Sequence, residues 1–503
     1  MQKLIHINEN DNVAVAISPI TKGEILEISG KSITALSDIP QGHKIALQDI
    51  NAHEKVIKYG YPIGEAKVDI HLGQHVHAHN IKTLLSEDAS YTYDEDYARS
   101  CISSMDERKR KYRNSVPTID AYIRKDGRIG IRNELWIVPT VGCVNGIAKN
   151  LEEWANRNLD VVDGVHAWTH PFGCSQMGED HENYRKILAD LVHHPNAGGV
   201  LVLSLGCENN TLASFRELLG EVDNDRVRFM IAQEYDDEVK QAEKLLTELA
   251  DNMKADRREK VGMDRLVVGF KCGGSDGLSG ITGNPLVGRF CNELVAMGGT
   301  AILTEVPEMF GAEQILMNRC ETEAIFEETV DMINGFKHYF TSHNQVVYEN
   351  PSPGNKAGGI STLEDKSLGC VQKGGVCPVS GIMKYADRVT SKGLNLLSGP
   401  GNDMVSTTAQ TAAGVHMILF TTGRGTPFGS PVPTLKIGTN TALSSRKSNW
   451  IDFNAGRLLT EDAESVTAEL ISLIQDVASG RKKAKNEESG YREISIFKDG
   501  VIL

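Results

Sequence analysis

The sequence predicts a three-part protein: a small N-terminal all-β module followed by two Rossmann-like α/β domains with largely parallel sheets. Three observations carry this. The chain has 503 residues, and one hydrophobic core stops growing at roughly 250 to 300 residues, so several domains are needed. From Met1 to about Lys82 short apolar runs of period two alternate with Gly and Asn/Asp turns. Beyond Val116 the rhythm changes to strand followed by helix, the signature of βα units around a parallel sheet.

The first part, residues 1–83, contains NVAVAI, GEILEI, KSITAL, HKIALQDI and KVIKYGYPIGEA, each alternating and each bounded by turn residues. Residues 84–116 are rich in charge and show no sheet pattern, so a linker or wrapping arm with some helix is expected there. In residues 117–262, ELWIVPTVGC, DGVHAWTHPFGC, GGVLVLSLGC and RVRFMIAQ each precede a helical stretch. The same alternation resumes in residues 263–503 with DRLVVGFKCGG, PLVGRFCNELVAMGG and TAILTEVPEMF, and later strands end in Gly-rich loops.

The net charge is −14 and no basic stripe interrupts it, so a nucleic-acid partner lacks its electrostatic footprint. No apolar run approaches the roughly 20 residues of a membrane span. The first residues carry neither a basic region nor an apolar signal core. A cytoplasmic protein is expected, and in that compartment nine cysteines are thiols or metal ligands rather than disulfides.

Four predicted strands end in a Gly-flanked cysteine: Cys143, Cys174, Cys207 and Cys272. Ligands of open parallel sheets bind at the carboxyl ends of the strands, so these thiols are candidates to converge on iron, as a mononuclear site or an iron–sulfur cluster. The plainer alternative is a small hydrophobe tucked beneath a helix. Cys101, Cys291, Cys320, Cys370 and Cys377 lack the strand-end placement and are expected to be structural or surface thiols.

In GQHVHAHN, a strand would put His75, His77 and His79 on one face, suited to a divalent metal or an anionic substrate; an exposed polar strand is the alternative. Lys356 in NPSPGNKAGG and Arg424 in TTGRGTPFG lie on loops able to hold a carboxylate. Asp276, Glu305 and His170 fall at predicted strand ends as acid/base candidates or ligands, although a histidine satisfied by backbone fits His170 equally well. CGGSDGLSGITGNP lacks both the phosphate-loop ending and dinucleotide spacing, so ATP and NAD are not supported.

With these residues assembled, the chain is similar, end to end, to the altronate/galactarate dehydratase family. The motifs that carry the resemblance include DNVAVA, QGHKIAL, VIKYGYPIG, GQHVHAHN, GRIGIRNELWIVPTVGCVNGIA, FGCSQMGEDH, LGCENN, CGGSDGLSGITGNP, LTEVPEMFGAEQ, ENPSPGNKAGGISTLEDKSLG and FTTGRGTPFG. One departure, Cys377-Pro378 in KGGVCPVSG, touches no core motif. The resemblance implies an N-terminal SAF-type (β-clip-like) module and iron-dependent loss of water from a sugar acid to give a 2-keto-3-deoxy acid in hexuronate breakdown. HVHAHN resembles the altronate branch, which favours D-altronate and the product 2-dehydro-3-deoxy-D-gluconate over galactarate or another 2-hydroxy acid. In this reading Cys143, Cys174, Cys207 and Cys272 hold iron. His77, His79, His170, Asp276 and Glu305 are catalytic candidates, and His75, Lys356 and Arg424 bind substrate. A non-catalytic sugar-acid sensor is the competing class, and a homodimer is left open.

Overall fold

The computed structural model describes residues 3–28, 30–85 and 90–503. It is mixed α/β, with a strand-rich N-terminal module and two parallel sheets.

A repeated turn builds the module. Ile20, Ile39, Ile50 and Ile70 are buried, and each is followed three residues later by a left-handed residue, Gly23, Gly42, His53 and Gly73. Ile20 bridges Ile39 and Ile50 bridges Ile70. The aspartates that precede three of them cap facing turns: Asp38 accepts from the Lys22 amide at 2.8 Å, Asp69 from Ala52 at 2.8 Å and Asp49 from Leu72 at 2.7 Å. Short antiparallel strands follow, and Lys44–Ala46 lies between Val13–Ala16 and His75–Val76.

The expected arm is in part a helix, α1 (Glu95–Lys109), whose N-cap Asp94 accepts from the Tyr97 amide. It docks on the third domain, where the Tyr91 hydroxyl donates to Glu313 at 2.7 Å and that of Tyr93 to the Cys320 carbonyl at 3.1 Å. Residues 86–89 of the arm lie outside the described residues.

In the second domain the strands β1 (Glu134–Pro139), β2 (Val165–Ala167), β3 (Ala197–Ser204) and β4 (Val227–Ile231) form a parallel sheet in the order β2-β1-β3-β4. Helices α2 (Asn145–Asn158), α3 (Gly178–Val192) and α4 (Glu238–Met253) cover it. Every residue of β1 and β3 is buried, as expected for parallel strands covered on both faces. The strands Thr118–Ile123 and Arg258–Gly262 at the ends of this segment pair antiparallel. Their Ile119, Ala121 and Val261 share a hydrophobic cluster with Val466 and Leu470 of the third domain. By packing, these strands belong to the third domain's core.

The third domain carries seven parallel strands: β5 (Val267–Cys272), β6 (Thr300–Leu303), β7 (Val379–Met383), β8 (Gly393–Leu397), β9 (Met417–Thr422), β10 (Thr434–Gly438) and β11 (Phe453–Asn454), in the order β7-β8-β6-β5-β9-β10-β11. Helices α5 (Gly283–Met297), α6 (Leu363–Cys370), α7 (Asp403–Ala412) and α8 (Ala463–Ala478) pack around it.

α3 and α7 pack together across the two domains. Asp190 and His193 from the end of α3 and Ala412 and Ala413 from the end of α7 line one cavity of about 830 Å³, together with Val267 and Thr300 at the strand starts. The helices therefore run side by side in the same sense, and the carboxyl edges of both sheets face the same side of the molecule, away from that cavity. Among the described residues no helix is long and apolar enough to cross a membrane.

Candidate functional site

Cys143, Cys174 and Cys207 follow β1, β2 and β3, three neighbouring strands, and all three are exposed free thiols. Their loops are stitched together. The Gly142 amide donates to the Phe172 carbonyl at 2.8 Å and the Asn210 amide to the Gly173 carbonyl at 3.5 Å, while the Asn145 side chain donates to the His170 carbonyl at 2.8 Å. Gly173 has φ +117°, and a Cβ there would stand 2.4 Å from the Thr140 carbonyl oxygen, so no other residue fits. Glu208 is buried and ties the loop after β3 to the end of β1. It accepts from the Thr140 hydroxyl at 2.8 Å, the Gly206 amide at 2.6 Å and the Ser204 hydroxyl. These bonds hold its carboxyl below the ordinary range despite burial, which pushes the other way.

Cys272 does not join this group. It ends β5 in the other sheet and is buried: its Sγ lies 3.2 Å from Glu308, 3.0 Å from Lys373 Nζ and 3.4 Å from Cys370 Sγ. Among the described residues, Cys272, Glu308 and Cys370 are the set of three potential ligands whose donor atoms all lie within 4.8 Å. Three ammonium groups surround that set and the adjoining Glu305, and two of them, Lys366 and Lys373, bond to its members. Lys366 pairs with Glu308 at 2.8 Å, Lys373 with Glu305 at 3.0 Å, and Lys271 with Glu305. Burial opposes ionisation of Glu308, but Lys366, Lys271 and Lys373 hold it well below the usual carboxylate range. A cation would have to displace ammonium groups from a sealed site, so this network is structural. Glu305, expected to face the crevice, is buried between the two lysines. Cys370, expected to be a structural or surface thiol, is a buried member of the same network.

His170 takes the second of its two readings, a histidine satisfied by backbone. Its Nε2 bonds the Pro139 carbonyl at 2.8 Å and its Nδ1 accepts from the Phe172 amide at 3.2 Å, and burial takes its pKa down to about 4. Both nitrogens are engaged, which leaves none for a substrate or metal.

The histidine segment is a strand only over His75–Val76. Asn80 closes a turn after it, accepting from the His77 amide at 2.9 Å. The turn still gathers the rings: centroids are 5.6 Å apart for His75 and His77 and 5.3 Å for His75 and His79. A fourth imidazole completes the group. His43 Nδ1 is 3.0 Å from His75 Nε2, and its ring centroid is 4.8 Å from that of His77. On the body side, His43 Nε2 meets the Ala357 carbonyl at 3.4 Å and His77 Nδ1 meets Ser361 Oγ at 3.1 Å. A carbonyl only accepts, so Nε2 of His43 carries its proton, Nδ1 accepts from Nε2–H of His75, and Nδ1 of His75 keeps its lone pair. Burial and the neighbouring imidazoles lower His75 to about 3; burial and Lys44 lower His77 to about 4.

The module is clasped to the body just beneath these rings. Lys44 Nζ and Lys58 Nζ reach the two oxygens of Asp365 on α6 at 2.8 and 2.9 Å, all three side chains being essentially inaccessible. Burial would raise the Asp365 pKa, but the two ammonium groups hold it well below the normal range. Gly42 also meets the body backbone to backbone, since a Cβ on Gly277 would lie 1.9 Å from its carbonyl oxygen.

Beside the rings stand the anion-holding candidates. The Lys356 loop is fixed by Asn355, whose amide donates to the Ser275 carbonyl at 2.9 Å, and a Cβ on Gly354 would be 3.8 Å from Nε of the exposed Arg424. Gly423 abuts Asp276. The Asp276 carboxylate accepts from the hydroxyls of Thr439 and Ser279 at 3.0 Å and from the Asn440 amide at 3.2 Å, while burial raises its pKa. The Lys356 loop thus joins the imidazole group to Asp276 and Arg424 at the carboxyl edge of the β5–β9 sheet. His43 was missed because a lone histidine in QGHKIAL carries no local signal; its position directly after a turn Gly of the repeat would have revealed it.

Three regions of the chain match the domains of one family: residues 2–84 the altronate/galactarate dehydratase SAF domain, 121–254 the D-galactarate dehydratase/altronate hydrolase second domain, and 263–502 the D-galactarate/altronate dehydratase C-terminal domain. The chain belongs to the altronate/galactarate dehydratase family. Within the family it is 51% identical to the altronate dehydratase of Bacillus subtilis (strain 168) over 508 residues, covering 100% of both chains. It is 50% identical to that of Escherichia coli (strain K12) over 503 residues, 99% of both. The galactarate dehydratase (L-threo-forming) of E. coli K12 is 31% identical over 98% of this chain and 96% of its own.

Proposed function

We propose that this protein is an altronate dehydratase, a hydro-lyase that converts D-altronate to 2-dehydro-3-deoxy-D-gluconate and water. The observation that carries the choice of substrate is the full-length identity of 50–51% to two altronate dehydratases against 31% to a galactarate dehydratase. A role in cytoplasmic hexuronate breakdown fits nine cysteines that are all free, as a reducing compartment requires.

The crevice supplies what the elimination demands. The hydrogen at C2 of a sugar acid is weakly acidic, and hydroxide is a poor leaving group, so charge must be stabilised and a proton moved at each end. Arg424 and Lys356 bind the substrate carboxylate and orient C2. Nδ1 of His75, held bare by the relay through His43 to the Ala357 carbonyl, accepts the C2 proton. Its low proton affinity rises once an anionic substrate lies beside it. Asp276, fixed by Thr439, Ser279 and Asn440 and with its pKa raised, holds a substrate hydroxyl, and the clasp fixes the module that carries the rings to the body.

Iron fits the cysteine loops and not the Cys272 network. Cys143, Cys174 and Cys207 are exposed, free and on adjacent strands, and three buried polar atoms around them have no partner among the described residues: Asn145 Oδ1, Tyr184 Oη and Asn210 Nδ2. Held there, iron would supply Lewis acidity. The deciding assay is incubation of the anaerobically purified, iron-loaded chain with D-altronate. Formation of a 2-keto acid is expected; binding without product would mark a sugar-acid sensor instead.

A further inference from the structure

The geometry points to a further substrate subsite, an aromatic and acidic groove beside Arg424 that takes the hydroxylated tail of the sugar acid and turns away a second carboxylate. This rests on the reading above, in which the chain dehydrates D-altronate and Arg424 binds its carboxylate.

The groove has a volume of about 600 Å³, and Asp403, Phe428, Trp450, Tyr491 and Glu493 are among its lining residues. That size is within the usual range for small-molecule sites. Asp403 opens α7 after β8, Phe428 lies in the loop after β9, and Trp450 stands just before β11. The groove therefore sits on the carboxyl edge of the sheet, where open parallel sheets bind ligands. It adjoins Arg424 directly. A Cβ on Gly274 would lie 3.6 Å from Cβ of Arg424, and one on Gly425 would lie 3.4 Å from Cε3 of Trp450. A Cβ on Gly273 would meet the Asp403 carboxylate at 2.7 Å. The Arg424 loop thus touches the Lys356 loop at Gly354 and the groove at Gly425.

The side chains suit a polyol. Phe428, Trp450 and Tyr491 offer ring faces to the C–H bonds of a sugar chain, and the last two add a polar tip. Among the described residues no hydrogen bond or ion pair engages the Trp450 indole N–H, the Tyr491 hydroxyl or the Glu493 carboxylate. Lys447 covers the Trp450 ring, 4.1 Å from its centroid, but does not line the groove.

Charge then selects the tail. The charged residues that line the groove, Asp403 and Glu493, are both acidic. Asp403 is paired with Lys271 at 2.9 Å, whereas Glu493 is exposed and unpaired. A terminal hydroxymethyl donates to a carboxylate; a terminal carboxylate cannot, and it meets like charge. Substrate geometry agrees. With the C2 hydrogen turned to His75, the tetrahedral carbon directs both C1 and C3 away from the imidazoles. A carboxylate held by Arg424 then leaves the tail to run along the Arg424 loop into the groove. An aldonate fits this arrangement and an aldarate does not.

The test uses the iron-loaded full chain with D-altronate as substrate and two competitors. One is D-altrarate, the same acid oxidised at C6; the other is a four-carbon aldonate of the same C2 and C3 configuration, too short to reach the groove. Trp450→Ala should raise KM for D-altronate about 10-fold more than it raises Ki for the four-carbon acid. Glu493→Gln should lower Ki for D-altrarate by about 10-fold. Native circular dichroism of each variant checks the fold. Equal effects of Trp450→Ala on the long and short acids, or an unchanged Ki for D-altrarate in Glu493→Gln, would overturn the groove and leave altronate dehydration standing. A wild-type chain that forms no keto acid from D-altronate would overturn that reading and the groove with it.

Discussion

The carboxyl edges of the two parallel sheets begin from the same local sequence, a buried strand ending in Cys beside Gly, and arrive at opposite chemistry. After β1, β2 and β3 the chain enters tight loops whose polar groups bind one another, and the thiols of Cys143, Cys174 and Cys207 are left outward. After β5, Glu305 and Glu308 arrive from the end of β6 and Lys366, Cys370 and Lys373 from α6 and the turn after it, and Cys272 is sealed among them. What distinguishes the edges is the company that long-range topology brings. One edge presents exposed free thiols, and the other seals its cysteine among internal ammonium groups.

This contrast can be broken most sharply at Cys174. Cys174→Ser should lower turnover of D-altronate by at least about 10³-fold together with iron content, measured by keto-acid formation and metal analysis. The next largest effect is expected at the clasp. Asp365→Asn removes the charge between two buried ammonium groups and should cost about 3–5 kcal/mol of stability, read from denaturant unfolding, with iron retained in the folded fraction. Arg424→Ala should lower kcat/KM by about 10²-fold while iron stays bound, which would separate carboxylate binding in the crevice from metal binding at the other edge.

Acid should act on the imidazoles before it acts on the clasp. His75 and His77 titrate in the fold below their ordinary 6.5, at about 3 and about 4, so as pH falls the unfolded chain takes up protons first. Stability is full above about pH 6.5 and declines from there toward about pH 4. A His75→Gln, His77→Gln variant should show a flatter decline of Tm over that window. The smallest effect is expected at Cys272→Ser, with a stability cost of about 1 kcal/mol and unchanged iron; loss of iron there would erase the distinction between the edges.

Periodicity was enough to expose the architecture because parallel strands buried on both faces leave near-continuous apolar runs, as in GGVLVLSLGC. The loops of Cys143, Cys174 and Cys207 were legible for a related reason: each apolar run stops at a Gly-Cys pair, which marks where the strand gives way to a loop. Cys272 and Glu305 were misjudged since burial at a strand end depends on residues 33 to 101 positions away. His170 was ambiguous by nature, because backbone carbonyls that capture both ring nitrogens leave no mark in composition. His43 carries no signal in its own motif; its place after the turn Gly42 of the repeat was the one clue, and its contact with His75 spans 32 residues of chain.

The clasp of Lys44 and Lys58 on Asp365 makes this a two-piece machine carried on one chain. Its joint is made of charge buried at the seam, while the peptide between the pieces serves as a tether. Severing that tether should leave the pieces mated, and changing one residue of the seam should part them even with the tether intact. The four imidazoles, which come entirely from one piece, would then leave with it.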